Sequence, residues 1–383
     1  MSGVVRQLNG FPGARVKVGV IGCGYWGPQL IRNFATLPQA TLVGVADRDP
    51  ERLAYVRTQY PSVRRFKDHR DLLKSDVDAV VIATPIHTHF QIAKEALEAG
   101  KHVLVEKPLT DSVEDALELN RIAEERQLTL MVGHTFIYNP AVEELARIVQ
   151  LDLGRVFYVD AARLNLGLFQ ARNNVIWDLG PHDVSIITYV LGRKPISVSA
   201  WGSTCVQPDI HDVAYLEIEF EGGVRAQIHL SWLDPAKVRR ITVVGDRKMV
   251  VYNDVSLQEK IKVFNKGVET PVTDDFGEFQ LSYRHGEVVI PYIEWREPLA
   301  LECEHYVDSI RTGTRPRTDG FAGLSAVAVL EAATHSLSHN GERQLINLPD
   351  FPLEGVRTED IVPGLVQARE EEEEAIAATS AAS

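Results

Sequence analysis

VKVGVIGCGYWG, residues 16–27, is the stretch on which the reading of this chain turns. VKVGVI is a short apolar run without polar alternation, as a strand covered on both faces requires. It leads directly into Gly22-Cys23-Gly24-Tyr25-Trp26-Gly27, a GxGxxG, and then into the helical stretch GPQLIRNFATL. Glycines at such a turn let backbone amides and the helix N-terminus approach a pyrophosphate, where aligned peptide dipoles favour negative charge. The next strand-like run, TLVGVAD, ends in Asp47, twenty residues after Gly27, where a carboxylate can accept hydrogen bonds from an adenosine ribose. Asp47 repels a 2′-phosphate and so favours NAD. Arg48 beside it could pair with that phosphate and leaves NADP open.

Outward from this unit the pattern repeats: PERLAYVRTQY, a short strand around Val63 to Phe66, DHRDLLKS, DAVVIATP, HTHFQIAKEALEAG, KHVLVEKP, SVEDALELNRIAEERQ and LTLMVGH. Unalternating strands separated by amphipathic helices predict a doubly wound parallel sheet, an α/β Rossmann domain over residues 15–138. Asp68 and Ser112 fit helix N-caps, and Gly100 fits a C-terminal turn. After Asn139-Pro140 the texture changes to one helix, PAVEELARIVQ, and then to period-two strands such as RVFYVDAARL, VAYLEIEF and VRRITVVGD. These predict an α+β domain over 139–353 with an open, largely antiparallel sheet, closed by helices EPLALECEHYVDSIRTG and GLSAVAVLEAATHSLS. Residues 1–14 read as an extension and 354–383 as an acidic, Ala-rich tail.

The chain has 383 residues, 45% of them hydrophobic, with 40 Lys plus Arg against 53 Asp plus Glu, a net charge of −13. That balance repels nucleic-acid backbones and anionic lipid surfaces, although Glu370 to Glu374 put part of it in the tail. Three scattered cysteines, Cys23, Cys205 and Cys303, offer neither a disulfide framework nor zinc spacing, which suits a reducing cytoplasm. No apolar run is read as reaching the ~20 residues of a membrane span.

Two further motifs carry chemistry. Glu106-Lys107-Pro108 ends strand HVLV, at the edge where open α/β sheets bind ligands, and the proline restricts Lys107 to an extended, rigid stalk. Asp178-Leu-Gly-Pro-His182 puts a carboxylate and an imidazole on one helix face if the helix begins near Asp178, with Pro181 in its first turn. A carboxylate beside an imidazole can orient it as a general base. By spacing alone, a surface lysine is the more common explanation of the first segment, and a capping Asp followed by an unrelated His describes the second equally well.

Taken in order, the glycine motif, EKP at 106–108 and DxxxH at 178–182 resemble the glucose-fructose oxidoreductase/inositol dehydrogenase (Gfo/Idh/MocA) superfamily, over about Val16 to Ser338. The resemblance implies a Rossmann domain, a second domain whose outer sheet face builds a homodimer or homotetramer, and a catalytic set of Lys107, Asp178 and His182. It also implies that Thr84, Pro85 and His87 lie against the cofactor together with Gly22, Gly24, Tyr25, Trp26, Gly27, Asp47, Arg48, Glu106 and Lys107, and that Tyr138, Asn139 and Pro140 lie near nicotinamide and substrate. Within the family, GYWGPQLIRNF, VGHTFIYNP, WDLGPHD and SWLDPAKVRR are most similar to enzymes that oxidise UDP-N-acetylglucosamine at C3.

Arg163, Trp232 and Asp234 lie on strands or strand ends suited to a sugar pocket, and Asn165, Arg172 and Asn173 fall in the loop before Asp178; ordinary sheet roles suit the first three as well. His87 and His89 form an HxH without supporting ligands, so no metal is expected. Phe136 and Tyr189 read as core. The expected reaction is NAD-dependent oxidation of a secondary hydroxyl of a nucleotide-sugar. His182 takes the proton, oriented by Asp178, and Lys107 polarises the oxygen, or the two exchange roles. Keto-sugar reduction, inositol or free-sugar oxidation, a glycosidase using bound NAD, and a nicotinamide-binding sensor or scaffold without turnover remain as alternatives.

Overall fold

The computed structural model describes residues 15–171, 173–269 and 282–349. The N-terminal extension, Arg172 and the acidic tail lie outside these residues. The first half alternates strand and helix: β1 (Val16–Ile21), α1 (Gly27–Thr36), β2 (Ala40–Ala46), α2 (Pro50–Gln59), β3 (Arg64–Phe66), α3 (His69–Leu73), β4 (Ala79–Ile82), α4 (His89–Glu98), β5 (His102–Glu106), α5 (Val113–Glu125) and β6 (Leu130–Gly133). The strands form one parallel sheet in the order β3-β2-β1-β4-β5-β6. β4 and β6 are buried along their whole length because helices cover both faces, which is why their sequences do not alternate. Asp68 and Ser112 cap α3 and α5 as expected, and Gly100 turns the chain after α4 with φ +74°. Strand order reverses between β1 and β4, and a crevice opens at their carboxyl ends.

The second half comprises α6 (Pro140–Leu151), β7 (Val156–Leu164), α7 (Val175–Leu191), β8 (Pro195–Ser203), β9 (Val213–Phe220), β10 (Arg225–Ser231), β11 (Val238–Gly245), β12 (Met249–Asn253), β13 (Ile261–Glu269), β14 (Ser282–Val289), α8 (Pro298–Thr312), α9 (Gly320–Ser338) and β15 (Gln344–Leu345). The sheet order is β14-β13-β12-β11-β7-β10-β9-β8-β15, antiparallel throughout except for β7 beside β10. Helices α6, α7 and α9 cover one face, where Val198, Leu216, Ile228 and Ile241 meet Val184, Ile187 and Val329 in one apolar cluster. β13 and β14 were not evident from sequence, because β14 is exposed on nearly every residue and carries no burial pattern.

Three sequence expectations are corrected here. Helix α7 begins at Val175, not near Asp178: Asn174 caps it by accepting from the amides of Ile176 and Trp177 at 3.0 and 3.2 Å. Pro181 therefore sits inside the helix, where its missing N–H deprives the Trp177 carbonyl of its helical donor. Helix α9 is long and apolar enough to cross a bilayer, but it is largely buried, packed on β8, α5 and α7. Finally, α8 packs back on the first sheet, placing Leu299, Cys303, Tyr306 and Ile310 among Val16, Val18, Leu30 and Phe34.

Candidate active site

The carboxyl ends of the parallel strands converge on one cleft of about 800 Å³. β1 delivers Gly22, β2 Asp47, β4 Thr84 and β5 Lys107 to its lining, while His134 after β6 stays buried. At the β1 end the glycines are sterically required. Gly22 has φ +98°, and a Cβ there would lie 2.6 Å from the Ala83 carbonyl oxygen; one on Gly27 would lie 2.2 Å from the Gly22 oxygen. A Cβ on Gly24 would meet only the Arg52 guanidinium at 3.7 Å, so the turn is open toward the cleft at that point. No side chain caps α1, which leaves its first amides available to an anion. Asp47 ties the turn together: Oδ2 accepts from the Cys23 amide at 2.6 Å, Oδ1 from Asp49 at 2.8 Å, and Arg52 stands 3.6 Å away. Burial and Asp47 push the Cys23 thiol up to about 12, so it is no thiolate. Tyr25 and Trp26 are exposed at the mouth and meet edge to face at 5.8 Å. This open turn, free helix end and adjacent carboxylate fit a dinucleotide. All residues assigned to the cofactor from sequence line the cleft except Gly27, which is packed beneath the turn.

The other end lies at the seam of the two sheets. Lys107 Nζ donates to the backbone carbonyl of Asp178 at 2.9 Å. Burial holds the Lys107 pKa below the usual lysine range, against the opposing charges of Asp178 and Glu106. Burial also raises Glu106 to about 7. His182 keeps an accessible edge although protein crowds it on almost every side, and its Nδ1 has no hydrogen-bond partner. Burial first, then the charges of Lys107 and Arg163, hold its pKa well below the ordinary imidazole value, so the ring is neutral and can accept a proton.

Asp178 does not hold His182 by a hydrogen bond. Its Oδ2 accepts from the Trp232 indole at 2.9 Å, because that ring is wholly buried and its N–H needs a partner. Trp232 is accordingly an interior residue, not a face of the pocket. Arg163 is also buried, held by Asp183 at 2.5 and 3.2 Å; it offers no free cation for a phosphate, though its Nη1 is unpartnered. Tyr138 is 2% exposed, with its hydroxyl 3.1 Å from Thr318 Oγ1. Asn139 caps α6 through Ala141 at 3.0 Å and bonds the Tyr252 hydroxyl at 3.3 Å. Neither faces the cleft. The Asn165 backbone amide extends the β7–β10 pairing by donating to the Ser231 carbonyl at 3.2 Å, and Asp234 serves a local turn by accepting from the Ala236 amide at 2.9 Å; neither residue lines the cleft, whereas Asn173 and Gln170 do. His89 is no metal ligand: both ring nitrogens face carbonyl oxygens, and no group of three or more His, Cys, Asp or Glu able to hold a metal occurs among the described residues.

Sequence reading missed three neighbours of His182. Phe136, expected in the core, meets the His182 ring edgewise at 5.0 Å, under Arg163 at 4.7 Å and Arg239 at 5.5 Å. His134, inside VGHTFIYNP, is 1% exposed with neither nitrogen partnered, and burial lowers it to about 3. Arg239 reaches the site from β11 and pairs with Asp254 at 3.0 Å. Orphaned polar atoms on His134, His182 and Arg163 in one place are what a site awaiting a polar ligand carries.

A family model described as an oxidoreductase family with an NAD-binding Rossmann fold matches residues 16–134, and one for the GFO/IDH/MocA C-terminal domain matches 147–251. The chain is 31% identical to the UDP-N-acetylglucosamine 3-dehydrogenase of Acidithiobacillus ferrooxidans over 82% of its own length and 94% of that enzyme's. A solved structure of that enzyme superposes with TM-score 0.71, covering 85% of this chain and 98% of the other at 29% identity. The scyllo-inositol 2-dehydrogenase (NAD(+)) of Bacillus subtilis is 26% identical over 86% of this chain and 96% of its own. GenD2 from gentamicin A biosynthesis, solved in complex with NAD, matches at TM-score 0.73 and 25% identity over 89% and 99% of the two chains. With the cleft, the glycine turn and the Lys107–His182 seam in one polypeptide, this chain belongs to the GFO/IDH/MocA family of oxidoreductases with an NAD-binding Rossmann fold.

Proposed function

We propose that this oxidoreductase removes hydride from a secondary hydroxyl, C3 of a nucleotide-linked hexosamine such as UDP-N-acetylglucosamine, with NAD as the acceptor. The observation that carries the reading is Lys107, tied to the Asp178 carbonyl at one end of a cleft whose other end is a glycine turn with Asp47, with a neutral His182 one helical turn beyond Asp178 and close enough to feel the Lys107 charge. The bound dinucleotide would accept hydride at nicotinamide C4. His182 takes the hydroxyl proton, for which its depressed pKa keeps the lone pair free. Lys107, fixed through the Asp178 carbonyl, donates to the same oxygen and stabilises the developing alkoxide. Asp178 acts on His182 through the helix they share, its carboxylate being spent on Trp232. Gly22, Gly24, Tyr25, Trp26, Thr84, Pro85 and His87 contact the cofactor, with Gly27 shaping the turn from below and Asp47 on the ribose, which favours NAD over NADP. Phe136, with Arg163 and Arg239 over its ring, walls the His182 side of the site.

Absorbance at the reduced-nicotinamide band tests this, with a panel of UDP-sugars, inositols and free sugars. Turnover on a UDP-hexosamine supports the reading, and turnover only on an inositol moves it to the second reading that the inositol-dehydrogenase relatives support. Silence across the panel with cofactor bound would mean a sensor. We place the protein in the cytoplasm, where its three free cysteines stay reduced. We also place a homodimer or homotetramer on the uncovered sheet face, where Trp201, Tyr215 and His229 stack in register at 4.4 and 4.0 Å beside exposed Phe157 and Tyr158. Light scattering would read a monomer if that is wrong.

A further inference from the structure

We propose that His89 is a positioning residue of the cleft, a ring that ties the loop after β4 to the loop carrying Lys107 by holding one carbonyl of each. Its Nδ1 lies 2.8 Å from the Pro108 oxygen and its Nε2 lies 2.8 Å from the Thr84 oxygen. Pro108 follows Lys107, and Thr84 packs against the Gly22 turn, its Cγ2 3.0 Å from where a Gly22 Cβ would stand. One imidazole, 1% exposed, therefore spans the two halves of the dinucleotide cleft. A carbonyl oxygen can only accept, so both contacts are hydrogen bonds only when both ring nitrogens carry protons. The neutral ring donates to one carbonyl and turns a lone pair on the other.

Opposing influences act on the charge of the ring. Burial, the His87 imidazole and the N-terminus of α4, where His89 is the first residue, disfavour it; the two carbonyls and the Asp111 carboxylate favour it. Burial is the largest of these and draws the His89 pKa below its ordinary value. The tie is thus complete on the acid side and half-released as pH rises through that pKa.

The inference rests on reading this cleft as a dinucleotide site, and the test separates the two. NAD+ affinity is measured by calorimetry from about pH 4.5 to about 8.5 for the wild type and His89→Gln, while 15N NMR of histidine-labelled wild type follows the ring over the same range. Expected are two protonated nitrogens at acid pH, a weakening of NAD+ binding of about tenfold as one proton leaves, and a flat, weaker profile in His89→Gln. A single neutral tautomer over the whole range, or an unchanged pH profile in His89→Gln, overturns the proposal. If the wild type binds no NAD+ at any pH, the dinucleotide reading fails, and the NMR titration still decides whether His89 carries both protons.

Discussion

The two ends of the cleft are built on opposite principles. At the glycine turn the chain presents backbone: amides, an uncapped helix start and one carboxylate already bonded within its own loop. At the seam it presents side chains, Lys107, His134 and His182, from strands and a helix of both halves, pressed together with polar atoms left unpartnered. The first end can be soft in chemistry and rigid in shape, because aligned amides bind an anion without titrating. The second must shift proton affinities, and burial beside like charges is the means available.

The largest effects are expected at the seam. His182→Ala and Lys107→Met should each lower kcat by about 10²–10⁴ while NAD+ affinity changes little; near-normal turnover in His182→Ala would remove it as the base. The glycine end should fail differently. Gly27→Ala drives a Cβ to 2.2 Å from the Gly22 oxygen, so a loss of about 3 kcal/mol in stability together with lost cofactor binding is expected from thermal unfolding and calorimetry. Full NAD+ affinity in that variant would mean the turn is not rigid.

The smallest effect separates the ends by pH. Burial holds His134 at about 3 and His102 and His305 at about 4, below the unfolded value of about 6.5. Below that value the unfolded chain binds more protons than the native one, so stability falls as pH drops from about 6.5 toward 4. Glu106 works against this, since a folded pKa of about 7 gives stability that is present in acid and lost as pH rises through 7. Unfolding midpoints should decline from neutral to about pH 5, more steeply in Glu106→Gln. Equal, flat profiles would show that water reaches the seam and that it is not the dry end supposed here.

How much of this could be read beforehand depends on how local each cause is. The glycine turn was legible because Gly22 and Gly27 answer to atoms a few residues away or to the strand next door. The cap on α7 was misjudged by a few residues, since Asp178 and Asn174 are both competent caps and only the helix in place shows which carbonyl and amide it satisfies. Tyr138 and Asn139 were drawn toward the substrate by their place in the chain, yet Thr318 and Tyr252, more than a hundred residues away, hold them inside. Trp232 was a sensible sugar platform until its indole required Asp178. Phe136 was the reverse case, an aromatic assigned to the core that borders the reacting histidine.

The order of strands and helices, the glycine turn and the three motifs follow from the sequence by itself, because periodicity, chirality and the needs of glycine and proline act within a few residues. Which side chains meet, which carboxylate His182 lacks, and how far Lys107 and Glu106 are driven from their ordinary proton affinities were decided only by the tertiary structure. Those properties depend on distances and burial among groups that lie far apart along the chain.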